Sequence, residues 1–110
     1  MPTQLAVRDP LLALSSPRRR EILRLVWSDE KSAGDIAGAF EVSWPAISQN
    51  LRVLKEAGLI RERRSGTSRF YRADRAALKP LESYLRRMWA QKIDRLRLLA
   101  EAEERKRSKR

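Results

Sequence analysis

The sequence predicts a mainly α-helical fold with one small β-hairpin. Three observations carry this expectation. Apolar residues recur at three- and four-residue steps through most of the chain, the period of a helix with one buried stripe. Serine or aspartate followed closely by proline opens several of these runs, and Gly58 closes one. Between Leu59 and Ala73 the period changes to alternation around Ser65, Gly66 and Thr67. At 110 residues, the chain is long enough for one domain with a small core.

In "VRDPLLALSSP", Asp9 can accept from unpaired amides and Pro10 suits the first helical position. "SSPRRREILRLVWSDE" repeats the device with Ser16 and Pro17, and Ile22, Leu25 and Val26 form its apolar set, with Leu23 and Trp27 beside it. Arg18, Arg19 and Arg20 lie in its first turn, where the helix dipole disfavours cations. They either serve an outside anion or form a solvated basic face. "KSAGDIAGAF" has Ser32 as a cap and Asp35 three residues on. A short turn, Glu41 to Ser43, leads into the next helix, which spans about Trp44 to Ala57 and ends at Gly58. Two short helices so joined have the spacing of a helix-turn-helix.

The hairpin carries Arg61, Arg63, Arg64, Arg69 and Arg72 against the single acid Glu62. After it, Asp74 or a neighbour opens a last helix of roughly 20–25 residues, about 30–38 Å long at 1.5 Å per residue. Its stripe runs through Leu81, Leu85, Met88, Trp89, Ile93, Leu96 and Leu99. So small a domain has little core to cover that length, so the surplus should meet a second copy. The expected dimerisation residues are Leu11, Leu12, Leu81, Leu85, Met88, Trp89, Ile93 and Leu96. The sequence therefore predicts a winged helix-turn-helix with a long C-terminal dimerisation helix. Residues 1–104 should form the domain, and residues 105–110 a basic, disordered tail.

Net charge is +11, from 25 basic and 14 acidic residues. Five of those charges lie in the tail, so the body is basic without it. A polyanionic partner follows, nucleic acid first and an anionic membrane surface second. There is no cysteine and no histidine. That excludes disulfides, a thiolate nucleophile and sulfur-ligated metal, and it removes the commonest general base. No nucleophile–base pair or phosphate-cradling glycine loop is present, so no enzyme, metal or cofactor is expected. No apolar run is long enough to span a membrane or act as a signal peptide, which makes the cytoplasm the default location.

The wet face of the helix from Trp44 holds the expected chemistry. With Ile47, Leu51 and Leu54 inward, the face presents Trp44, Pro45, Ser48, Gln49, Arg52 and Lys55, with Asn50 at the margin. Glutamine and asparagine can bond adenine through two hydrogen bonds, and arginine can do the same with guanine. Base contacts concentrate near a recognition helix's N-terminus, which favours Trp44, Ser48 and Gln49, with Asn50 behind them. Arg52 and Lys55 lie further along and suit phosphates. Each of these residues taken alone could be ordinary polar surface. At the wing, Arg63, Arg64 and Arg69 flank Gly66 and can enter a narrow minor groove. The plainer role for wing charges is to keep a strand edge from aggregating.

"SPRRREILRLV", "DIAGAFEVSWPAISQNLRVLKEAGLIRERRSG" and "RFYRA" resemble the ArsR/SmtB family of bacterial winged-helix repressors across roughly Leu11 to Leu99. The resemblance implies homodimers built from the first and last helices, operator binding, and repression released by a signal. It carries DNA contacts directly onto Ser43, Ser48 and Gln49. The family's usual pattern reads S-Q-P-A-[VI]-S-Q-H-L, so at Trp44 and Asn50 the carry-over is by position only. The family's metal sensors place cysteines where this chain reads "SAGDIAGAF", or Asp and His on the last helix. The resemblance is therefore to the metal-free branch. Trp27 and Trp89 either line a small apolar ligand pocket or fill the core and dimer seam.

The reading is a homodimeric repressor of double-stranded DNA at a palindromic operator, its own promoter among the candidates, without a metal or cofactor. The rival readings are a nonspecific architectural nucleic-acid binder and a partner-binding module that uses the last helix.

Overall fold

The computed structural model describes residues 9–108. Its elements are α1 (Pro10–Ala13), α2 (Pro17–Leu25), β1 (Lys31–Ser32), α3 (Ala33–Gly38), α4 (Trp44–Glu56), β2 (Ile60–Ser65), β3 (Ser68–Ala73) and α5 (Arg75–Leu78). A 3₁₀ turn (Lys79–Leu81), α6 (Glu82–Gln91) and α7 (Ile93–Ser108) complete the chain. The order is that of a winged helix-turn-helix.

The helix starts are set by local chemistry. Asp9 accepts from the Leu11 amide at 2.9 Å, with Pro10 in the first turn of α1. Ser16, Ser32 and Ser43 cap α2, α3 and α4 by accepting from the amides of Arg19, Asp35 and Ala46. α4 stops at Gly58, whose φ of 77° is strained for any residue with a Cβ. The Gly58 amide reaches the Lys55 carbonyl at 2.9 Å, and the Leu59 amide reaches that of Leu54 at 3.0 Å. This is a Schellman closure, with buried Leu54 and Leu59 supplying its apolar contact.

The sheet has three antiparallel strands in the order β1-β3-β2. The expected hairpin is β2 and β3, with Ser65 opposite Ser68 and Gly66 at φ 61° in the two-residue loop. β1 is an addition: Lys31 pairs with Tyr71 and Ser32 with Phe70. Two residues are too few to show alternation in a sequence.

One core joins these elements. Ile22 and Leu23 of α2, with Val26 and Trp27 just past its end, meet Ile36, the α4 stripe Ile47, Leu51 and Leu54, then Leu59, Ile60, Tyr71, Leu78 and Leu85. Burying one such aliphatic side chain contributes on the order of 1.5–3 kcal/mol. The inner stripe of α4 is therefore enough to hold that helix in place.

The expected long last helix is broken twice. Pro80, which lacks an amide hydrogen and crowds the preceding turn, sits in the 3₁₀ segment before α6. Lys92 then adopts a left-handed conformation with φ 59°. That costs a non-glycine residue roughly 1–2 kcal/mol. The reversal lets α7 fold back along α2, where the Asp94 carboxylate accepts from Arg20 Nε at 2.6 Å and Nη2 at 2.8 Å. Both side chains are almost wholly buried.

This arrangement changes two further expectations. Leu85 is 0% exposed and fills the protomer's own core, so it has no surface left for a second chain. The tail expected to be disordered from residue 105 is helical through Ser108, because α7 continues into it. Lys109 and Arg110 lie outside the described residues. No helix among the described residues is long and apolar enough to cross a membrane.

Candidate nucleic-acid interface

The outer face of α4 is built on its buried one. At its N-terminus, Ser43, Trp44, Pro45 and Gln49 are exposed, Trp44 to 48%, and Ser48 is half-buried. Gln49 Oε1 accepts from Arg52 Nη2 at 2.9 Å, which fixes the amide and guanidinium as one polar unit on the exposed face. Lys55 lies 3.0 Å from Glu62 of β2, and Glu62 in turn accepts from the Tyr71 hydroxyl at 2.9 Å. The Lys55 hydrogen bond first, then that of Tyr71, holds the Glu62 carboxyl below its usual range. Burial first, then the bond to Glu62, raises Tyr71. This chain of contacts ties α4 to the β2–β3 hairpin.

Asn50 does not belong to the outer face. It is only 9% exposed. Its Nδ2 donates to the Ala46 carbonyl at 2.8 Å, and its Oδ1 accepts from Arg19 Nη1 at 3.2 Å. A side chain spent on both sides in this way positions the helix and is not offered to a base edge. Its spacing carried part of the signal: Asn50 is three residues after Ile47 and four before Leu54, at the edge of the inner stripe.

The arginines of α2 follow neither expected reading, an outside anion or a solvated face. Arg19 Nε donates to the Ala13 carbonyl and Arg20 Nη1 to that of Leu14, each at 2.6 Å. They neutralise the carbonyl end of α1, where a cation is favoured. Arg18 pairs with Glu101 at 3.3 Å. Burial lowers Arg19, and the bond to Asp94 raises Arg20.

The wing arginines divide by partner. Arg63 makes two bonds to Glu30, at 2.9 and 2.7 Å, and lies over the Phe70 ring at 4.7 Å. The Glu30 bond raises Arg63 and lowers Glu30. Such exposed pairs are worth about 0–1 kcal/mol, so a phosphate can compete for the guanidinium. Arg64 is exposed and only loosely paired, 3.9 Å from Glu62. It stands directly opposite half-buried Arg69 across the hairpin. Like charges facing each other in a sheet are unfavourable, and an anion between them relieves that. Arg61 and Arg72 pair nearer the base, with contacts to Asp74 and to the Ser28 carbonyl.

The residues expected at the dimer surface also separate. Leu11 (67%), Leu12, Ile93 and Leu96 (65%) are exposed, as are Tyr84 and Leu99. Leu81, Met88 and Trp89 are half-buried. Trp89 packs edge-on against Trp27 at 5.1 Å and donates to the Arg20 carbonyl at 3.1 Å. These tryptophans pack on each other, and neither lines the cleft of about 460 Å³ between α2, the α3–α4 turn and α7. Among the described residues, no group of three or more His, Cys, Asp or Glu side chains is placed to hold a metal ion.

The profile described as bacterial regulatory protein, arsR family, matches residues 16–62, from the cap of α2 into β2. The chain is 40% identical over 67 residues to the transcriptional repressor SdpR of Bacillus subtilis, a match covering 61% of this chain and 74% of that one. It is 37% identical over 81 residues to the HTH-type transcriptional regulator Rv2034 of Mycobacterium tuberculosis, covering 74% and 76%. Among solved structures, it is similar to the homodimeric winged helix-turn-helix DNA-binding domain of a possible ArsR-family transcriptional regulator from Mycobacterium bovis, determined by NMR. That match has 32% identity and a TM-score of 0.63, and covers 83% of this chain and 82% of the other.

Proposed function

Because this chain belongs to the arsR family of bacterial regulatory proteins, whose members are DNA-binding transcriptional regulators, we propose that it is a homodimeric repressor of double-stranded DNA. It acts at a palindromic operator, with its own promoter one candidate, and without a metal-sensing site. The observation that carries the reading is the exposed N-terminal half of α4 on a helix whose other face is locked in the core. Ser43, Trp44, Pro45, Ser48 and Gln49 approach base edges, Arg52 and Lys55 the backbone, and Arg63, Arg64 and Arg69 the adjacent groove.

Repression is supported by the similarity to a named repressor, and the dimer by the homodimeric neighbour. Exposed Leu11, Leu12, Ile93 and Leu96 supply apolar surface for the second copy, with half-buried Leu81, Met88 and Trp89 behind them. Two α4 helices would then enter successive major grooves about 10 base pairs apart. With duplex DNA as its partner, the cytoplasm is the proposed location. Residues 1–104 carry the DNA-binding and dimerising functions. Competition gel shifts with promoter and random duplex test the proposal. Retention of the promoter complex against excess random duplex is expected, and equal loss to both would refute sequence specificity.

A further inference from the structure

The cleft of about 460 Å³ between α2, the α3–α4 turn and α7 has the size of pockets that take small molecules. Half-buried Leu25, Phe40, Val42 and Leu98 give it apolar walls. Arg105 Nη1 donates to the Glu41 carbonyl and Lys106 Nζ lies 3.1 Å from Glu41 Oε1, which ties α7 to the turn. At about 100° per residue, Leu98 stands roughly 160° around α7 from Leu96. A second copy seated on exposed Leu96 therefore leaves the cleft open.

Two atoms on the α2 wall lack partners. Glu21 is only 7% exposed. Its Oε1 accepts twice from Arg24, at 2.5 and 2.8 Å, and Arg95 Nε lies 3.6 Å away. Among the described residues, its Oε2 accepts from no donor. Arg18 Nε, one turn earlier on the same helix face, donates to no acceptor, and both atoms are closed to bulk water. Both side chains line the cleft. Buried polar groups are ordinarily paired, so this pair asks for a partner that both gives and takes a hydrogen bond.

The chemistry of an occupant follows from its neighbours. A carboxylate would face Glu21, and an ammonium would face Arg18, Arg24 and Arg95. The charged lining nearly balances, five cations against four acids, so it favours neither ion. We propose that the cleft binds a small neutral molecule with an apolar, ring-sized body and a carboxamide or hydroxyl head, which donates to Glu21 Oε2 and accepts from Arg18 Nε. Arg18 Nη2 lies 3.3 Å from Glu101, and so weak and partly exposed a pair yields to the entering head. The site goes beyond the DNA-binding reading and does not depend on it.

The test is titration of the full chain, without DNA, followed by amide NMR spectra. The probe is naphthamide. Its counterparts are naphthoate, which cannot donate, naphthylmethylammonium, which cannot accept, and methylnaphthalene, which can do neither. Saturable shifts at the Phe40, Val42 and Leu98 amides are expected with naphthamide, and each counterpart should bind roughly 10- to 100-fold more weakly for its lost charge-assisted bond. Ala102→Phe and Val42→Trp fill the cleft from opposite walls and should abolish those shifts, with the rest of the spectrum unchanged. The compound series needs no variant, so the test stands even where one fails to fold. No saturable shift with naphthamide, equal affinity for all four compounds, shifts confined to Leu11, Leu12, Ile93 and Leu96, or binding that survives both folded variants would overturn the proposal.

Discussion

Replacing Asp94 with alanine leaves the Arg20 guanidinium buried, with its bond to the Leu14 carbonyl but without its counter-ion. The pair spans α2 and α7, with two hydrogen bonds of 2.6 and 2.8 Å. Removing one partner of a buried ion pair costs about 3–5 kcal/mol. A domain of this size has a total stability of about 5–15 kcal/mol, so the variant should unfold at markedly lower urea. The left-handed Lys92 favours undocking of α7 once the pair is gone, because its strain is then released. Arg20→Met should also be costly, since it orphans Asp94 and one α1 carbonyl. The double variant removes both charges together and should lose less than the two single losses summed, by about 2–3 kcal/mol. Urea unfolding at one fixed protomer concentration measures the cycle, since association shifts apparent stability. Additivity within about 0.5 kcal/mol would refute the claim that this pair docks the helix.

Asn50→Ala leaves Arg19 Nη1 without its acceptor and should cost about 1–3 kcal/mol of stability while leaving base preference intact; altered preference at one operator position with unchanged stability would return Asn50 to the reading face. Arg64→Ala should weaken binding to most sequences alike and lower the salt slope by about 0.9, and a wild-type slope would argue against a wing contact. The Glu62 carboxyl is held below its ordinary value of 4.5, so the folded state loses protons more readily than the unfolded chain. Its contribution is therefore full above about pH 4.5 and fades as pH falls through the folded value. Glu62→Gln should flatten the acid loss of stability in that range, and an equally steep loss would contradict the assignment.

Features set by neighbouring residues were legible in the sequence. Asp9 with Pro10, Ser16 with Pro17, Ser43 with Pro45 and the terminator Gly58 act within a turn of where they stand. The stripe Ile47, Leu51 and Leu54 reports its burial by spacing alone. Features set by distant partners were not legible. The apolar steps run smoothly across Lys92, and lysine gives no left-handed signal. The reversal there depends on Arg20, 74 residues from Asp94. Arg63 reads as a free wing cation until Glu30, 33 residues away, is placed beside it. Asn50 stands at the margin of the outer face by spacing, and what turns it inward is Arg19, 31 residues earlier. The basic end of the chain gave no local hint that it folds back to Glu41.

Base reading by the exposed N-terminal half of α4 is tested most directly by the affinity of wild-type and Gln49→Ala protein for an operator series in which each base pair is changed in turn. A loss of about 1–3 kcal/mol and a flattened preference at one position in each half-site are expected, with the remaining preferences kept. An unchanged preference at every position would contradict it.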